Sequence, residues 1–91
     1  MKKNKKTVYS SELAREHLLS RISIDPNICF GKPCIRGHRI WVSLILGFLA
    51  GGMTKDELLE EYPQLEPADI DACILYGVEM KRVHRQGKQN D

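Results

Sequence analysis

Cys29, Cys34 and His38 stand at C-x4-C-x3-H, a spacing able to bring two thiolates and an imidazole to one zinc ion. A structural zinc site closes with four ligands, usually as two close pairs. Here the second pair is missing, and His17, Cys73 or His84 would have to be recruited from distant positions. No metal and no other cofactor is therefore expected. Cys34 with His38 also has the residue types of a nucleophile and its base, but a 91-residue helical chain has little volume for the pocket such chemistry needs. No P-loop, H-E-x-x-H or Ser/His/Asp pattern is present. The expectation is a protein that is not an enzyme.

A second chemistry is electrostatic. Lys32, Arg36, His38 and Arg39 place four cations or cation precursors within eight residues of Gly- and Pro-rich chain. Flexible backbone carrying such side chains can approach phosphates closely. Two readings stand side by side: a wing that contacts DNA backbone, or a solvated loop whose arginines pair with acidic helices of the same chain. The net charge of +2 conceals segregation. Residues 1–53 carry nine Lys/Arg against Glu12, Glu16 and Asp25, giving +6; residues 54–80 carry Lys55 against eight carboxylates, giving −7; residues 81–91 return to +3. A chain polarised in this way can present one side to nucleic acid and another to a basic protein, although exposed helices rich in Glu give the same pattern.

The elements that must position these residues follow from periodicity. Residues 1–7 form a basic tail without pattern, and Ser10 or Ser11 can cap a short helix through Leu13, Ala14, His17 and Leu18. Ile22-Ser23-Ile24 alternates as a strand, closed by the turn signal Asp25-Pro26-Asn27. Gly31 to Ile40 reads as loop, turn and a second strand over roughly 39–42, with a positive φ expected at Gly37. The two strands are expected to pair as a ribbon. Val42, Ile45, Leu46 and Leu49 then lie on one helix face, and Leu44 and Phe48 make the rest apolar, so this helix is expected to be buried on all sides.

Gly51-Gly52 ends that helix, and Thr54-Lys55-Asp56-Glu57 has the capping-box spacing. Pro63 stops the next helix near Tyr62, and Pro67 suits the first position of a last helix continued by Ile70, Cys73, Ile74, Gly77, Val78 and Met80. Lys81 to Lys88 are expected to fray. The fold class is thus mainly α: a trihelical core containing a helix-turn-helix, a short two-stranded β-ribbon and an N-terminal helical extension. The divisions are a basic tail and helical extension at 1–20, a helix-turn-helix domain at 21–80 and a basic tail at 81–91.

Helix-turn-helix proteins usually set the start of the second helix of the pair against base edges. Here that start carries Glu66, Asp69 and Asp71, which phosphates repel. DNA contact is therefore expected from Lys32, Arg36, His38 and Arg39. Leu13, His17 and Trp41 are the candidate partner contacts, Trp41 as a core or interface anchor because no second aromatic lies nearby in sequence for base stacking. No run approaches the roughly 18 apolar residues of a membrane span, and no apolar stretch follows the basic start as in a signal peptide. Three cysteines cannot all be paired within one chain. A cytoplasmic protein with free thiols, gaining stability as a homodimer or with a partner, is the expectation.

Several of these residues carry a resemblance. Ile22-x-Ile24-Asp25-Pro26, then Gly31-Lys32-Pro33-x-Ile35-Arg36-Gly37-x-Arg39-Ile40, then Gly52-Met53, Glu57, Glu61-Tyr62-Pro63-x-Leu65 and Asp69-Ile70 together resemble the family called domain of unknown function 433. The resemblance spans about residues 21–80. It implies a homeodomain-like or winged helix-turn-helix fold and a VapB-type antitoxin. It further implies a PIN-like ribonuclease toxin as partner, with operator DNA as a second ligand for autoregulation. A protein-interaction module that keeps the fold without binding DNA is the alternative. The chain departs from the family pattern at Trp41 in place of Pro, at Cys34 in place of a β-branched residue, and at Glu66 where Ser or Thr commonly caps the last helix.

Overall fold

In the computed structural model, which describes residues 11–89, Ser11 opens the first helix. Its hydroxyl accepts the Ala14 N–H at 3.0 Å, and α1 runs Glu12–Leu19 with Leu18 buried. The expected tail at residues 1–7 lies outside the described residues.

Three strands follow: β1 Ile22–Ser23, β2 Cys34–Ile35 and β3 Ile40–Trp41, antiparallel in the order β1-β2-β3. Ile22 faces Ile35 and Ser23 faces Cys34; Cys34 in turn faces Trp41, and Ile35 faces Ile40. This corrects the expected two-stranded ribbon of Ile22–Ile24 with residues 39–42, because β2 stands between them. Cys34 and Ile35 are buried, and their backbone groups need partners on both sides. The Arg36–Arg39 turn closes the β2–β3 hairpin over four residues, the shortest route to one of those partners. Gly37 takes φ +85° there as expected, and the His38 N–H donates to the Ile35 carbonyl at 3.0 Å. A two-residue strand has too few positions to show alternation in sequence. Between β1 and β2, Asp25 accepts the Asn27 N–H at 2.8 Å. A tight turn then holds Cys29, Phe30 and Gly31 at φ +55°, +57° and +78°.

The helix α2, Val42–Ala50, is not buried on all sides. Val42 and Ile45 enter the core and Leu46, Phe48 and Leu49 pack against it, while Leu44 stays 42% exposed. Among the described residues the other elements pack on one side of α2, so one face meets the core and the other does not. A Schellman arrangement ends α2: the Met53 N–H reaches the Phe48 carbonyl and the Gly52 N–H the Leu49 carbonyl, both at 3.0 Å, with Gly52 at φ +106°.

The capping box forms as expected. Thr54 Oγ1 accepts the Glu57 N–H at 3.1 Å and Glu57 Oε1 accepts the Thr54 N–H at 2.9 Å, opening α3 at Lys55–Glu61. Pro63 follows, and α4 begins at Pro67. Glu66 does not cap it through its side chain; Asp69 Oδ2 reaches back to the Glu66 N–H at 2.8 Å. The helical backbone of α4 continues to Gln89, which corrects the expected fraying at Lys81 to Lys88. Lys, Arg and Gln sustain a helix well, and extending an existing helix is far easier than starting one.

Ile45, Leu58, Ile70 and Cys73 form the fully buried centre, with Ile35 closing it from the sheet. Cys73 thus acts as a small hydrophobe. An added Cβ at Gly77 would stand 3.0 Å from Leu46 Cδ1, so the bare glycine sets how closely α4 approaches α2. Helix α1 packs on α4, so that among the described residues four α-helices surround a three-stranded sheet. Among the described residues no helix is long and apolar enough to cross a membrane.

Candidate functional site

All four cationic candidates are exposed, Arg36, His38 and Arg39 on the β2–β3 turn and Lys32 just before β2. They do not act as one surface. Lys32 Nζ lies 5.5 Å above the ring of the half-buried Trp41, beside a cleft of about 260 Å³ reaching Leu46, Tyr76 and Met80. Arg36 turns the other way. Its Nε donates to the Ser20 carbonyl at 2.8 Å and its Nη2 to the Ile22 carbonyl at 3.2 Å, clamping the end of α1 to β1. Among the described residues neither Arg36 nor Arg39 pairs with a carboxylate. The reading in which this loop is neutralised by its own acidic helices does not hold.

Arg36 and His38 instead share a polar cleft of about 360 Å³ with His17 and Ser20 from the end of α1. Gln64, Glu66 and Asp69, from the α3–α4 turn and the first turn of α4, close the other side, with Arg21 between. Two carbonyl partners fix the Arg36 guanidinium without cancelling its charge. Arg21 is spent differently: Nη1 donates to Asp69 Oδ1 at 2.9 Å and to Glu66 Oε1 at 3.2 Å. The Asp69 hydrogen bond, foremost, raises the Arg21 pKa above its ordinary value, outweighing the opposing effect of desolvation. Asp69 is only 5% exposed. Of the carboxylates at the start of α4, Asp69 is therefore held inside the chain, while Glu66, paired with Arg21, stays exposed to solvent.

Sequence reasoning placed His17 with partner contacts and Arg36 and His38 with DNA contacts; the tertiary structure lines one cleft with all three. It did not single out Arg21, which lies 45 and 48 positions from its two partners. No local spacing signals a pair so far apart.

Of the other candidates, Leu13 on α1 is 76% exposed. Ile74 and Val78 on α4, one turn apart, are exposed and line an apolar cleft of about 220 Å³ with Leu18 and Leu75. Phe30, which no periodicity marked, is 89% exposed at the tip of the left-handed turn. Of the three free thiols, Cys34 and Cys73 are buried and Cys29 is half-buried. Burial, helped by the adjacent Cys29 thiol, pushes the Cys34 pKa up, and burial pushes that of Cys73 up to about 12. Both thiols are thereby kept in the protonated, less nucleophilic form near neutral pH. Among the described residues no three His, Cys, Asp or Glu side chains converge as a metal-ligand set.

No curated protein matches the chain. A crystal structure of a DUF433 member protein from Anabaena variabilis ATCC 29413 is similar to it, with a TM-score of 0.65 and 28% identity, covering 89% of this chain and 81% of that one. A family model described as "Protein of unknown function (DUF433)" matches residues 22–77. That span holds the whole sheet, α2, α3, the Arg21-linked start of α4 and most of the cleft, and the chain belongs to this family.

Proposed function

We propose that the protein is an antitoxin-type regulator that masks a PIN-like ribonuclease and uses the β2–β3 turn to contact operator DNA. In this reading α2, α3 and α4 are a trihelical core, residues 62–66 are the turn of a helix-turn-helix, and the β2–β3 hairpin is its wing. The observation that carries the protein-binding half is the exposed apolar pair Ile74 and Val78 on the acidic segment. Any ribonuclease must hold a polyanion in a cationic channel. The segment that carries this apolar pair also exposes the carboxylates of Asp56, Glu60, Glu61 and Glu66, and an acidic segment with an apolar patch complements such a channel. The exposed Arg36, His38 and Arg39, none paired with a carboxylate among the described residues, support the DNA half.

The test is coexpression of the full chain with a PIN-like ribonuclease encoded beside it. Copurification and relief of growth arrest are expected, both lost in Ile74→Asp/Val78→Asp. Arrest that persists despite soluble protein refutes the antitoxin reading. For the DNA half, operator binding should weaken steeply with salt and with Arg36→Ala/Arg39→Ala; binding indifferent to both refutes it.

A second reading, a protein-interaction module that does not bind DNA, is favoured by one observation. The first turn of α4 offers no cation of its own, and the neighbouring Arg21 is engaged with Glu66 and Asp69. Copurification of the ribonuclease without any shift of operator DNA supports that reading.

A further inference from the structure

We propose that the cleft between the end of α1, the β2–β3 turn and the α3–α4 turn is a phosphate-binding site, with Arg36, His38 and His17 as its ligands. For a nucleic-acid source the proposal rests on the DNA half of the antitoxin reading, whereas it is independent of what covers α4 and of the ribonuclease partner.

Arg36 is built as an anion receptor is built. Its Nε and one Nη2 hydrogen are fixed on the Ser20 and Ile22 carbonyls, which removes most of the side-chain entropy a ligand would otherwise have to overcome. Carbonyls carry no net charge, so the cation remains to be balanced, and Nη1 keeps its hydrogens for a ligand. Among the described residues no carboxylate lies within ion-pairing distance of Arg36, although Asp69 and Glu66 line the same cleft. Those two are taken by Arg21, which keeps them from collapsing onto Arg36.

Two imidazoles complete the arrangement. His17 and His38, on separate elements, line the cleft with Arg36 and make no hydrogen bond through their side chains among the described residues. A planar guanidinium with imidazole N–H donors suits a tetrahedral oxyanion offering several acceptor oxygens. At about 360 Å³ the cleft holds a phosphate group with room for what it is attached to. That phosphate can come from a nucleic-acid backbone or from a free phosphate compound; the chemistry at Arg36 is shared.

Glu66 supplies a test that misfolding cannot imitate. Its carboxylate, 68% exposed at the lip, repels an incoming anion. Titration of the full chain with inorganic phosphate, at constant ionic strength against chloride, is followed by amide and imidazole NMR shifts. Saturable shifts are expected at His17, His38 and the Arg36 turn. His17→Ala and His38→Ala should each weaken binding by roughly tenfold, the effect of one charge-assisted contact, and Glu66→Gln should tighten it several-fold. A short DNA duplex in a parallel titration separates the sources: phosphate that displaces the duplex assigns the site to nucleic-acid backbone, and phosphate that binds without displacing it assigns a free phosphate compound. No saturable shift, shifts equal in chloride, or shifts unchanged in both histidine variants and in Glu66→Gln overturn the proposal.

Discussion

Arg21 Nη1 lies 2.9 Å from Asp69 Oδ1, joining the residue that leads into β1 to the third residue of α4 across 48 positions of chain. The same carboxylate closes the start of α4 by accepting the Glu66 N–H through its other oxygen. One buried side chain thus serves as helix cap and as tertiary link, and it lies in the wall of the cleft.

Removing Arg21 leaves that carboxylate buried without its cation. Complete burial of such a pair would make the loss about 3–5 kcal/mol; Arg21 is 36% exposed, so Arg21→Ala should cost about 2 kcal/mol, measured by urea denaturation. Asp69→Asn keeps an oxygen for the Glu66 N–H and should cost less than Asp69→Ala. Equal losses in the two Asp69 variants would remove the capping role.

The capping box can be weighed separately. Thr54→Ala removes the acceptor for the Glu57 N–H at an exposed helix start and should cost about 1 kcal/mol, with Thr54→Ser close to wild type. A change below a few tenths in Thr54→Ala would mean that tertiary packing alone holds α3.

Phe30 predicts a gain. It sits at φ +57° with almost its whole side chain in solvent, so substitution loses no core packing. A left-handed conformation costs a non-glycine residue about 1–2 kcal/mol, part of which the larger unfolded-state entropy of glycine returns. Phe30→Gly should therefore raise stability by about 0.5–1 kcal/mol in thermal or denaturant unfolding. A loss would show that Phe30 makes a contact in solution that compensates its backbone.

Cys73 sets an alkaline limit. Its pKa is raised from 9.0 to about 12 by burial, so the folded chain holds this proton after the unfolded chain has released it. The stability linked to this thiol is complete below pH 9 and declines as pH rises from 9 towards 12, by up to about 1.4 kcal/mol per unit. Cys73→Ala should lose stability at neutral pH through its cavity, yet show a shallower decline above pH 9 than wild type. Parallel pH curves for the two proteins would refute this.

Much of the helical framework was legible in the residues themselves. Ser11, Gly52, Thr54 with Glu57, Pro63 and Pro67 mark helix ends because capping and chain breaking are local: the partner of each group lies within a few positions. The sheet was misread because β2 is only two residues long, and Cys34-Ile35 pairs on both sides without displaying a period. For α2 the composition was right and the burial wrong, since the number of layers available to cover a helix is a property of the whole chain.

The cleft shows the same division. Sequence alone determined that Arg36 and His38 share a Gly-containing turn, that α4 begins with carboxylates, and where α2 stops and α3 and α4 start, because chain connectivity fixes those relations. Only the tertiary structure decided that Arg21 takes up Asp69 and Glu66, that Arg36 is left charged on two carbonyls, and that His17 joins it. Those facts depend on which distant groups come within about 3 Å of one another, and over that distance the energy of a charge is set by its neighbours in space rather than in sequence.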